Sequence, residues 1–164
     1  MPTVIVSLEG VNLASGFIVR EMSLYFVYDR SYRHYFFKKP LGFEMSEEDR
    51  RTDRYYKNIL GGIGLTQLIP GALEYRCVAE ILLSLHGYFI YTCGNVSSQF
   101  LRRNLPYARI TDIQDVSTFT YSSSLQGGDC GIEHPARYCS LSKIRAVTDF
   151  CQKQFNWFAL RLIR

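Results

Sequence analysis

No run of the sequence is apolar for long enough to cross a bilayer. No secretory leader opens it either: Met1-Pro2-Thr3-Val4-Ile5-Val6-Ser7-Leu8-Glu9 meets a carboxylate before an apolar h-region could form. These two absences exclude a helical membrane protein and predict an intracellular, reducing setting. An even set of cysteines is also missing. The five present are an odd count, and in a reducing compartment they read as metal ligands or buried thiols rather than a disulfide framework. There is no internal repeat and no linker-like stretch. The 164 residues are therefore expected to form one domain with one sizeable core. Charge of one sign is not in great excess. A net charge of +4 permits a nucleic-acid partner without demanding one, since solubility alone accounts for such a value.

What the chain does have is aromatics, at 15%, mostly Tyr and Phe. They serve either as core or as platforms for bases and partner proteins. It also has clear periodic segments. Thr3 to Ser7 is a β-branched run ending at Glu9-Gly10, which reads as a buried strand and a turn. Gly16 to Tyr28 and Tyr32 to Lys38 read as two strands of a hairpin about the polar break Asp29-Arg30-Ser31. Ser46 followed by Glu47, Glu48 and Asp49 marks a helix start, and that helix is expected to run to about Leu60. Its Arg50, Arg51 and Arg54 alternate with acidic residues, as on a salt-bridged helix surface. A second helix is predicted from Pro70-Gly71 to Leu85, with Leu73, Val78, Ile81, Leu82 and Leu85 on one face. Tyr88 to Thr92 is a fourth strand, Asn95 to Asn104 a short helix, Arg109 to Ile113 a fifth strand, Thr118 to Asp129 a loop, and Ser140 to about Leu160 a last helix. A first strand beside an antiparallel hairpin, followed by β-α crossovers, predicts an α/β fold of the RNase H-like kind: a mixed five-stranded sheet flanked by helices.

The chemistry concentrates in Cys130-Gly131-Ile132-Glu133-His134-Pro135-Ala136-Arg137-Tyr138-Cys139. Two thiols and an imidazole within ten residues are three of the four ligands a tetrahedral zinc needs. A d10 ion gives thiolates a reason to sit together in a reducing cell. The alternative is two buried thiols and a surface imidazole. Cys77, Cys93 and Cys151 sit in apolar elements and read as core. A catalytic Cys–His pair lacks any evident third orienting group.

Several of these segments resemble the three-prime exonucleases of the DEDD type. Ser7-Leu8-Glu9 stands where they carry Asp-x-Glu, Arg20 to Tyr25 is similar to their second strand, and Cys93-Gly94-Asn95-Val96-Ser97-Ser98-Gln99-Phe100-Leu101 is similar to their second motif. His134 and Cys139 keep the offset of their final His and Asp. The resemblance covers most of the chain, yet most of the carboxylates are gone. Ser7, Ser97 or Ser98, and Cys139 replace three of them, leaving Glu9 and His134. One carboxylate does not hold two hard cations, so ordinary two-metal hydrolysis is not expected and no residue is assigned as catalytic.

The remaining set resembles the Maelstrom domain of germline small-RNA silencing, an exonuclease-like fold with Glu, Cys, His and Cys around zinc. That resemblance implies one structural zinc held by Glu9, Cys130, His134 and Cys139, with water or Asp129 as alternatives to Glu9. It also implies a degenerate exonuclease-fold domain that binds single-stranded RNA, with Arg102, Arg103, Lys143 and Arg145 as phosphate contacts. Two further readings stay open: a protein-interaction module using the apolar cluster Phe155-Asn156-Trp157-Phe158-Ala159-Leu160, or a residual ribonuclease with a different site.

Overall fold

A computed structural model describes residues 2–121, 125, 130–132 and 134–155. The apolar cluster beyond Phe155, and Asp129, lie outside the described residues. Five strands form one mixed sheet: β1 (Thr3–Leu13), β2 (Gly16–Phe26), β3 (Ser31–Phe36), β4 (Phe89–Thr92) and β5 (Arg109–Asp112). Their spatial order is β3-β2-β1-β4-β5. The first three strands are antiparallel neighbours, while β1–β4 and β4–β5 are parallel pairs. The helices are α1 (Glu47–Asn58), α2 (Arg76–Leu83), α3 (Asn95–Asn104), the short α4 (Ile113–Val116) and α5 (Ser140–Phe155). No helix among the described residues is long and apolar enough to cross a membrane.

Alternation along β1 builds two cores, because successive side chains of a strand point to opposite faces. Val4, Val6 and Leu8 pack with Val78, Leu82 and Leu85 around α2 and with Leu101 of α3. Ile5 packs on the other side with Tyr25 and with Ile144, Val147 and Cys151 of α5. So α2 and α3 cover one face of the sheet and α5 covers the other. Each fully buried aliphatic side chain here contributes about 1.5–3 kcal/mol.

Two expectations are corrected. Gly10 is not a turn. β1 runs through it to Leu13, and the reversal falls at Ala14-Ser15. Gly10 is required because a Cβ there would sit 1.9 Å from the Ile18 carbonyl oxygen, so only glycine lets β2 approach. The helix expected from Pro70 starts only at Arg76. The chain before it is claimed by the sheet edge: Leu73 N–H donates to Phe36 O (2.8 Å) and Lys38 N–H to Leu73 O (2.8 Å). A backbone group used in a bridge is not free to close a helical turn. The 12-residue α1 starts as expected, with Ser46 as N-cap and a reciprocal capping box to Asp49. Its acidic residues divide, however. Glu47 lies near Arg50 and Arg54 on the surface, whereas Asp49 and Asp53 are buried.

Arg20 fixes the region beyond α1. Its guanidinium is buried and donates to three carbonyls: Phe37 O (2.8 Å), Gln67 O (2.8 Å) and Gly64 O. Asp53 adds a fourth tie, accepting from Leu65 N–H at 2.9 Å. A segment without regular structure is thereby held against β2 by hydrogen bonds to charged groups, the stronger kind.

Candidate metal centre

The site is built where β1 and β2 are out of step. Counting from the turn, Leu13 pairs with Gly16 and Gly10 with Val19, a register that would set Glu9 opposite Arg20. A bulge between Glu9 and Gly10 advances the pairing by one residue, so Glu9 faces Glu21 instead. Alternation along β1 already sets Glu9 on the side of Ile5, and the one-residue slip brings Glu21 to that same α5 side of the sheet.

Glu21 is fully buried. Its Oε1 accepts from Ser140 N–H (3.0 Å), Ser140 Oγ–H (2.8 Å) and His34 Nε2 (2.8 Å), with Cys139 Sγ at 3.6 Å. Ser140 is the first residue of α5, so an anion sits where the helix dipole and an orphan N–H favour it. The second oxygen, Oε2, accepts no hydrogen bond and lies 3.5 Å from His134 Nε2. Cys130 Sγ is 3.2 Å from the same nitrogen. Gly131, at φ +90°, supplies the backbone turn that follows Cys130. A single turn of 3-10 helix, Ala136–Tyr138, then carries the chain to Cys139 at the head of α5.

Ligand atoms of Glu21, Cys130, His134 and Cys139 all lie within 4.8 Å of one another. Tetrahedral bonds of about 2.0 Å to nitrogen and 2.3 Å to sulfur put neighbouring ligand atoms about 3.3–3.8 Å apart. Cys130 Sγ at 3.2 Å and Glu21 Oε2 at 3.5 Å from His134 Nε2 lie near that spacing. The donor set is therefore compatible with a metal ion in both chemistry and distance.

Its electrostatics point the same way. Burial works against a charged His134, but Cys139, Glu21 and Glu9 outweigh it and raise the imidazole pKa. Burial likewise works against a Cys139 thiolate, yet hydrogen bonds from His134 and Ser142 prevail and lower the thiol pKa. Cys130 is pushed up to about 11 by burial, with Cys139 and Glu21 adding to it. A buried carboxylate beside two thiols is a place where negative charge is costly until a cation arrives.

The structure thus brings together three of the four residues named from sequence and exchanges the fourth. Glu9 is not in the cluster. Its Oε1 accepts from Lys143 Nζ and its Oε2 from Tyr56 OH at 3.3 Å. Burial raises the Glu9 pKa against the opposing pull of Lys143. Glu21 was legible only as a charge inside an apolar strand, an anomaly that marks a buried partner; the bulge that aims it was not legible.

The four basic residues expected on an RNA-binding face do not share one. Lys143 turns inward to Glu9. Arg102 lies 3.9 Å from Asp115, and Arg103 and Arg145 are exposed. Arg102 and Arg103 ride on α3 and Arg145 on α5, helices packed on opposite faces of the sheet. Of the remaining cysteines, Cys151 is fully buried, and Cys77 and Cys93 pack partly buried against the two cores.

No protein-family model matches the sequence, and no curated protein matches it.

Proposed function

We propose that the protein is a zinc-stabilised, non-hydrolytic module of the RNase H-like fold, Maelstrom-like in its ligand chemistry, that binds single-stranded RNA. One observation carries the zinc reading: Glu21, Cys130, His134 and Cys139 converge in a buried cluster with an unpartnered carboxylate oxygen. The fold assignment draws support from the sheet order β3-β2-β1-β4-β5, with the hairpin antiparallel and the later strands parallel. The absence of hydrolysis draws support from the fate of the carboxylate positions. Ser7, Ser97 or Ser98, and Cys139 stand at three of them, and Glu9 is neutralised by Lys143. Ser98 is itself committed, donating to Asp112 Oδ2 at 3.1 Å. Zinc would be held by Glu21, Cys130, His134 and Cys139, and would supply a rigid cross-link between β2 and the head of α5.

The RNA reading is favoured by the exposed arginines and the net charge of +4. Because the arginines are divided between two faces, each is expected to contribute separately to the salt dependence. The test has three arms on the full chain: elemental analysis of protein purified without chelator, fluorescence anisotropy of a labelled single-stranded RNA across a salt series, and incubation of that RNA with Mg2+ or Mn2+. The expected result is about one zinc per chain, saturable binding that weakens steeply with salt, and intact RNA. No binding at low salt overturns the RNA reading. Cleavage lost on Glu9→Gln overturns the non-hydrolytic one.

A further inference from the structure

Beside the metal cluster, at the carboxyl ends of β1 and β4, lies a cavity of about 310 Å³. It sits on the other side of Glu9 from Glu21, and none of the four candidate zinc ligands lines it. Pockets that enclose a small organic molecule start at about 300 Å³, so this one is of a size for a single ring system with one substituent.

Its lining has a definite chemical character. Phe17, Tyr56, Tyr121 and Tyr138 supply aromatic surface, and Tyr56 and Tyr138 meet edge to face with centroids 5.4 Å apart. Asn12 and Asn95, both exposed, place side-chain amides at the rim. Amides that donate and accept together match the edge of a nucleobase, and aromatic rings match its face.

Charge decides what part of a nucleotide fits. The two charged residues in the lining, Glu9 and Lys143, hold one another, and Lys143 Nζ also lies 5.3 Å from the centre of the Tyr121 ring. Burial keeps the Tyr56 and Tyr121 phenols protonated and pushes the Cys93 thiol up to about 11. The start of α3 borders the cavity, and a carboxylate already sits against it: Asp112 accepts from Gly94 N–H at 3.1 Å and from Ser98 Oγ–H at 3.1 Å. An arriving phosphate would find Lys143 taken, the helix start countered by a carboxylate, and Glu9 close by.

From this balance we infer that the cavity is a binding site for one uncharged nucleobase or nucleoside and that it discriminates against a terminal phosphate. The inference rests on the cavity lining and not on the RNA reading, since a nucleoside makes no phosphate contacts and its binding is insensitive to salt.

The test is a titration of the full chain with the four ribonucleosides, their 5′-monophosphates and methyl riboside, followed by saturation-transfer NMR and calorimetry. At least one nucleoside is expected to saturate at about 1 mM or tighter. Its monophosphate should bind about tenfold more weakly, and the riboside should not bind. Val96→Trp, at an exposed lining position of α3, should fill the space and weaken the nucleoside at least about tenfold with an unchanged melting temperature. Asn95→Ala should weaken it without filling the space. No saturation by any nucleoside, a monophosphate that binds as well or better, or unchanged binding in both variants overturns the inference. Loss of RNA binding with nucleoside binding intact overturns only the earlier reading.

Discussion

Glu9 and Glu21 face each other across β1 and β2, yet among the described residues they share no hydrogen-bond partner. Like charges directly opposite in a sheet destabilise it. Here each is answered from its own side: Glu9 by Lys143, Glu21 by His34, the head of α5 and the cysteine–histidine cluster. Two adjacent carboxylates have been given separate tasks.

That division yields a clean discrimination between them. Glu21→Gln should lower zinc affinity by at least about tenfold, while Glu9→Gln should leave stoichiometry near one per chain. Competition against a chromogenic chelator reads both. Equal loss in the two variants would return Glu9 to the ligand set. Stripping the metal from the wild type should lower the melting temperature, because a ligand bound only to the folded state stabilises it.

The Glu9–Lys143 pair is testable by a double-mutant cycle. Both groups are largely buried, with 10% and 21% of their side chains exposed. Glu9→Gln and Lys143→Met should each cost about 1–3 kcal/mol by stranding the other partner. The double variant should return to within about 1 kcal/mol of wild type, since no unpaired charge is left buried. Additive losses in urea denaturation would mean that the pair is not coupled.

Arg20→Met should be among the most damaging single changes in the chain. It leaves the carbonyls of Phe37, Gly64 and Gln67 buried without their donor. The expected loss is at least about 3 kcal/mol by denaturant midpoint. A smaller effect would show that water replaces the guanidinium.

The capping box on α1 carries a pH signature. Burial would raise the Asp49 pKa, but hydrogen bonds from Ser15 and Ser46 outweigh it and hold the group below its ordinary 3.8. A depressed carboxylate stabilises the fold above its unfolded pKa, and that contribution is lost as pH falls through the folded value. The stability difference between wild type and Asp49→Asn should be constant from neutral pH down to about pH 4 and shrink below it. A difference that persists unchanged below pH 3.8 would assign the effect to shape rather than charge.

Much of this was readable from the chain. Strand alternation, the Ser46 cap, α3 and the succession of five strands along the chain all follow from local pattern, because each depends on neighbours in sequence. Three of the four cluster residues were readable for the same reason, falling within ten positions. The fourth was not. Its identity depends on a one-residue bulge in the pairing of two strands, beside the close approach of Ile18 to Gly10. The true start of α2 was hidden likewise, since Leu73 is held by the edge of β3. The basic quartet failed as a patch because a run of charges says nothing about which face of a sheet its helix will cover.

The separation of Glu21 from Cys139 along the chain, 118 positions, has a consequence for synthesis. The hairpin of β1 and β2 leaves the ribosome early, carrying a carboxylate whose hydrogen-bond donors at Ser140 and cluster partners from Cys130 onward have not yet been made. Until they emerge, Glu21 has every reason to stay in water, and the hairpin cannot settle with that face closed. Closing that face over Glu21 therefore waits for the last helix, whose first residue supplies two of the hydrogen bonds to the buried acid.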